Sequence, residues 1–260
     1  ACSDENDLTP SGENEDYFTV SAGAADIVSV TRREFHDRNG VHLLFTDTLR
    51  HEQRGTYSDG TPFWFTEIID LKYAITGGST TIYRLDYLAD QTAREAAVAF
   101  IEARVLPHLT NDVRPYSVLP LDQLYTYNSS RKTWTPVNFC NNFRCLAIST
   151  GSIANAPEAE QKTFCQAMFL SIVSSKISGL STSELSEFYV FCEDYYGYDY
   201  DECDLPAGMD ADNLTQEDLY MLGFLSKVSY YFSYDTTDRD NFVKAIFNTD
   251  EEEFRATYAA

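Results

Sequence analysis

TAREAAVAFIEARVL, residues 92–106, decides the fold class, because Ala93, Ala96, Ala97, Phe100, Ile101 and Val105 recur at helical spacing and Pro107 closes the run. Short stretches rich in β-branched and aromatic residues flank this helix on both sides. Toward the amino terminus they cover residues 41–46, 66–75 and 80–88, with Gly77-Gly78 as a turn between the last two. A further helix over residues 26–38 precedes them, capped by Asp26, carrying Ile27, Val30 and Phe35 inward and stopped at Asn39-Gly40. Toward the carboxyl terminus, strands are expected over residues 118–127 and 143–149, followed by a loop over 150–157.

Beyond that loop the pattern turns helical. Pro157 opens a helix reaching about Ile177, and Ser181 or Ser183 caps another to Tyr195. Thr215, with Asp218 three residues on, starts one ending near Phe232; Thr237 starts one to Phe247, and a last begins near Asp250. Strands and helices in separate runs predict an α+β domain over residues 17–260, with a mixed sheet and helices to about 157 and a mostly helical half after it.

The chain has 260 residues, 43% hydrophobic and 14% aromatic, enough for a sizeable core. Its 41 acidic residues against 19 basic ones give a net charge of -22, which repels phosphate backbones and argues against nucleic acid as a partner. The apolar run over residues 164–173 is about half the roughly 20 residues a membrane span needs. Ala1-Cys2, followed by Ser3, Asp4, Glu5 and Asp7, resembles the start of a processed bacterial lipoprotein, and its acids resemble the surface-export signal of Bacteroidetes lipoproteins. This resemblance implies a lipid anchor on Cys2, a polar tether over residues 1–16 and a place on the outer face of the outer membrane.

Three stretches carry a wider resemblance. They are Arg33-Glu34-Phe35 through Gly40-Val41-His42-Leu43-Leu44-Phe45; the helix over residues 161–176; and Gly223-Phe224-Leu225-Ser226, followed after Tyr230-Tyr231 by Asp238-Arg239-Asp240-Asn241-Phe242. Together they resemble the zinc-binding metallopeptidases of Bacteroidetes surface lipoproteins, a gluzincin-like family, which implies a zincin-like domain. In that family two histidines of an H-E-x-x-H helix and a later acid hold zinc, and the glutamate activates water. On the family pattern Cys165 and Phe169 stand where the histidines belong, Gln166 where the base belongs, and Asp240 near the third ligand. Gln166 cannot take a proton from water at neutral pH and Phe169 cannot bind metal, so no cofactor is expected. The resemblance therefore implies a degenerate, non-catalytic scaffold that binds a carbohydrate, a peptide or an outer-membrane protein. The alternative is a hydrolase, either a peptidase with an atypical metal site or a glycosidase using a carboxylate pair.

Other candidates carry less chemistry. Tyr195, Tyr196, Tyr198, Asp199, Tyr200 and Asp201 form a tyrosine–acid run that suits a sugar or peptide contact, a calcium site extended by Asp204, or a partly buried structural loop. Trp64 with Phe63 and Phe65 is expected in the core rather than on a platform. None of His36, His42, His51 and His108 is spaced i, i+4 with another, but His36 and His42 are placed to approach each other across a helix-to-strand corner. Cys140/Cys145 and Cys192/Cys203 are close enough in sequence to bridge, leaving Cys165 in an apolar run; the alternative is that all five are buried thiols. No G-x-S-x-G motif and no phosphate-binding glycine loop occurs.

Overall fold

Asp26 begins the first helix as its sequence demands: its carboxylate accepts from the Ser29 amide at 2.9 Å and caps α1 (Ile27–Asn39). Gly40, at φ 65°, ends it by turning the chain into the left-handed region that favours glycine. This is a computed structural model of the chain, and it describes residues 16–72 and 80–258. The anchor at Cys2, nearly all of the tether and the Gly77-Gly78 turn lie outside the described residues. The class is α+β. The chain divides into two compact units, the first ending at Phe164 and the second starting at Cys165.

The first unit is built on a four-stranded mixed sheet. β1 (His42–Leu43) lies parallel to β5 (Ser117–Leu121), which lies parallel to β9 (Leu146–Ser149); β8 (Phe139–Asn141) closes the edge antiparallel. Every residue of β5 and β9 is buried, the pattern of strands covered on both faces. Pro120 sits inside β5 without breaking the ladder. The Leu44 amide donates to Val118 O at 2.9 Å, so Val118 bonds toward β1, and Pro120, two residues on, turns its missing N–H past the end of that short strand.

At Asp122 the chain leaves this sheet and continues as β6 (Gln123–Asn128), the centre of an antiparallel sheet between β4 (Tyr83–Asp86) and β7 (Thr133–Val137). The expected strand over 118–127 is thus two strands bent at one residue. Ser149 Oγ seals the bend, donating to Val137 O at 2.7 Å and accepting from the Leu124 amide at 2.9 Å. Gly151 packs so tightly there that a Cβ would overlap the Asp122 carboxylate and come within 2.7 Å of its backbone oxygen. The core beneath gathers Phe18, Leu44, Ile69, Leu119, Leu121 and Leu124 among others.

α2 (Gln91–Phe100) is shorter than its periodicity predicts, because residues 101–105 open into π-helical turns and residues 106–108 tighten into a 3-10 turn. Pro107 is the physical cause: it lacks an N–H and its ring needs room at the carbonyl four residues back, and the widened turn lets the Leu106 amide bond to Ile101 O. A separate hairpin, β2 (Thr48–Thr56) with β3 (Pro62–Ile68), pairs only with itself among the described residues.

α3 (Glu158–Ser178) fulfils the helix expected after Pro157 and runs across the boundary between the units. The second unit also holds α4 (Ser186–Tyr189), α5 (Gln216–Met221), α6 (Asp235–Asn248) and α7 (Glu251–Tyr258). Thr215 and Asp218 form a reciprocal capping box at the start of α5. That helix stops well short of Phe232 because Gly223 takes φ 93°, and a Cβ there would stand 3.0 Å from Cys192 Sγ. Cys192, Tyr200, Leu214, Leu219, Leu222, Phe224 and Phe232 make the buried core of this unit. No helix among the described residues is long and apolar enough to cross a membrane.

Candidate functional site

The positions set against the zinc pattern do not converge on a ligand set. On α3, Cys165 is buried, Gln166 is exposed and Phe169 is half-buried. On α6, Asp240 faces solvent and pairs with its neighbour Arg239 at 2.9 Å. Among the described residues no group of three histidines, cysteines or acids could hold a metal ion.

The buried acid of α6 is Asp238, which sequence reasoning passed over. Its side chain is 1% exposed; Oδ2 accepts from the Tyr196 hydroxyl at 3.1 Å, and Oδ1 has no hydrogen-bond partner. Burial pushes its carboxyl up to about 6, and the Tyr196 hydrogen bond opposes it without reversing the result. Burial, and then the Asp238 charge, push the Cys192 thiol up to about 11, and the same two causes raise the Tyr196 phenol. The signal was present: Asp238, Phe242 and Ala245 fall at i, i+4 and i+7, the spacing of one helical stripe.

The tyrosine–acid run separates into inner and outer residues. Tyr195 and Tyr200 pack on Phe232 with ring centroids 5.0 and 4.7 Å apart, and Tyr196 packs on Phe224 at 5.7 Å. Tyr200 also donates its hydroxyl to Val228 O at 2.8 Å. Of the named tyrosines only Tyr198 is exposed. Asp199 and Asp201 line an open cavity of about 310 Å³ with Asp212, Lys227 and Tyr230. The partly buried loop describes most of this segment.

No bridge forms in either expected cysteine pair. Cys140 donates to the Tyr83 hydroxyl at 3.4 Å, Cys192 donates to Leu222 O at 3.3 Å, and Cys145 and Cys203 remain thiols. The histidine approach does occur: the His36 and His42 rings stack with centroids 4.3 Å apart, and the nearest carboxylates, Asp37 and Asp16, stand at 4.0 and 3.8 Å. His108 lies in the 3-10 turn after α2.

The largest departure from expectation is the aromatic cluster of β3, which is displayed rather than buried. Trp64 is 49% exposed and Phe63 39%, while Phe65 is half-buried. The reason lies in its partner strand. β2 reads TLRHEQRGT, too polar to cover aromatic rings, and among the described residues no third strand joins the hairpin.

Register sorts the two faces. Trp64, Thr66 and Ile68 alternate onto a front face, joined by Gln53 opposite Trp64 and His51 opposite Thr66. The His51 ring lies parallel to Trp64 at 4.8 Å and its Nδ1 meets Thr66 Oγ1 at 2.9 Å. The back face is braced instead: the Arg54 guanidinium lies over Phe65 at 3.7 Å, Tyr17 packs on the same ring at 5.6 Å, and Arg144 reaches Glu67 at 3.3 Å. Comparison with family models, curated proteins and solved structures finds no match for the chain.

Proposed function

We propose that this chain is the binding domain of a lipid-anchored cell-surface protein, and that it holds a neutral glycan on the front face of the β2–β3 hairpin without catalysing a reaction on it. The observation that carries this reading is the half-exposed Trp64, held on a paired strand and set among the hydrogen-bonding side chains of Gln53, His51 and Thr66. A pyranose offers an apolar C–H face to an indole and a rim of hydroxyls to such neighbours. A patch without acids on a chain of net charge -22 suits an uncharged polymer better than a polyanion.

The non-catalytic part of the reading rests on chemistry at α3, where Gln166 offers no base and Phe169 no ligand. Anchoring rests on the Ala1-Cys2 start and the acids after it. An array of neutral polysaccharides followed by titration calorimetry tests the proposal. Trp64→Ala is expected to weaken the positive glycan about tenfold or more, the loss of roughly 1.4 kcal/mol or above from one stacked ring. An array without signal, or a Trp64→Ala variant that binds like the parent, refutes it.

A further inference from the structure

Residues 16–21 lie along the first unit as a strap, anchored to it at Tyr17, Phe18 and Ser21. Phe18 is buried in the core against Tyr116, edge to face at 4.9 Å, and against His42 at 5.5 Å. Its carbonyl accepts from Arg32 Nη2 at 3.2 Å, and that of Ser21 accepts from Arg33 Nη1 at 2.8 Å. Tyr17, one residue earlier, points the other way: its hydroxyl accepts from Arg54 Nη2 at 3.0 Å, and its ring braces Phe65 on the back of the hairpin. Tyr17 thus joins strap to hairpin directly, and Arg144, over Phe18 and paired with Glu67, links them a second time.

Beneath the strap lies a weak place. A cavity of about 140 Å³ separates residues 18–20 from the corner between α1 and β1, and the stacked His36 and His42 line it. His42 is 8% exposed, and its ring makes none of the hydrogen bonds among the described residues. The charged and titratable groups around it are Arg32, Arg33, His36 and Asp37 of α1; Asp16 of the strap; and Tyr116 ahead of β5. Arg144 faces Phe18 from the other side at 5.2 Å. We infer that this strap is an acid-released brace for the hairpin: it docks over an uncharged His42, and proton uptake there loosens it and, through Tyr17, the aromatic platform.

The sign follows from the surroundings. Burial lowers the affinity of docked His42 for a proton, neighbouring His36 lowers it further, and Arg32 adds to both; Asp16 opposes them without reversing the result. A released strap frees that imidazole to water, so the released form binds protons more readily, and falling pH draws the equilibrium toward release. Each unit by which the docked ring is depressed shifts docking about tenfold across the transition.

This regulation rests on the hairpin being the binding platform, but hydrogen exchange reads the strap without any ligand. Amide protection of residues 16–21 and 48–56 is measured on the full chain at pH 7.5 and pH 5.0, corrected for intrinsic exchange. Protection of both segments is expected to fall together at pH 5.0. His42→Asn should flatten that dependence, Asp16→Asn should move release to higher pH, and Tyr17→Ala should loosen residues 48–56 already at pH 7.5. Equal protection at the two pH values, or an undiminished fall in His42→Asn, overturns the inference, as does a strap that opens while the hairpin stays protected. Failure of glycan binding alone would sink the platform reading and leave these outcomes readable.

Discussion

Replacing Asp238 by asparagine tests whether burial raises the proton affinity of a carboxyl group inside the second unit. In the folded chain its pKa rises from 3.8 to about 6. Well below pH 4 the acid is protonated in both folded and unfolded chains and contributes no pH dependence. Between pH 4 and 6 the folded chain keeps the proton while the unfolded chain releases it, so stability falls as pH rises and reaches its floor above the folded pKa. A difference of roughly two units corresponds to about 3 kcal/mol at pH 7.5. The asparagine would avoid the buried charge, keep an oxygen for the Tyr196 hydroxyl, and leave one amide group unpartnered at a cost of about 1–2 kcal/mol. Asp238→Asn is therefore expected to stabilise α6 by about 1–2 kcal/mol at pH 7.5 and to destabilise it by about 1 kcal/mol at pH 4.0, where little of the charge penalty remains. Both tryptophans lie in the first unit, so fluorescence would miss this change. Hydrogen exchange of peptides covering residues 230–245, measured in both proteins from pH 4.0 to 7.5, reports it directly. A variant whose difference from the parent does not change sign across that range refutes the reasoning.

Gly151→Ala drives a methyl group into Asp122 at the bend between the two sheets, and a loss of about 1–3 kcal/mol is expected in urea melts followed by tryptophan fluorescence. A shift below about 0.5 kcal/mol would mean the bend yields freely. The thiols should react with a disulfide reagent under native conditions in an order set by burial, the shallow Cys203 ahead of Cys145, which is fully buried and pushed up to about 12. Cysteines that resist alkylation even after denaturation, until a reductant is added, would show bridges and contradict the geometry.

Local chemistry is readable in the sequence wherever it sits within a few residues. The Asp26 cap, the Gly40 stop, the Thr215–Asp218 box and the helix after Pro157 all stand where expected. So does the separation of strand-bearing and helical runs that makes the class α+β. What escapes depends on partners distant in the chain or on backbone geometry. β2 has no periodicity of its own and exists because β3 pairs with it, and β7 and β8 likewise draw their order from β6 and β9. The helix expected to reach Tyr195 survives only as α4 amid turns. At the candidate site one cluster departs from expectation: hydrophobicity alone points Trp64 inward although its strand has nothing to lie beneath. For the tyrosine run the sequence leaves an exposed contact, a calcium site and a partly buried loop open, because the rings that receive Tyr195, Tyr196 and Tyr200, those of Phe224 and Phe232, lie far along the chain.

The pairing of residue 42 with residue 117 bears on how the molecule assembles. Strands β2 and β3 meet through a short turn and can zip within microseconds, whereas β1 finds no partner until the chain as far as β5 is present. A newly made chain would thus show its tryptophan strand to other molecules before the large sheet has closed. Arg50, Glu52 and Arg54, interspersed along the neighbouring strand, place charges where a stray strand would otherwise stick, and so guard an early intermediate as well as the finished surface.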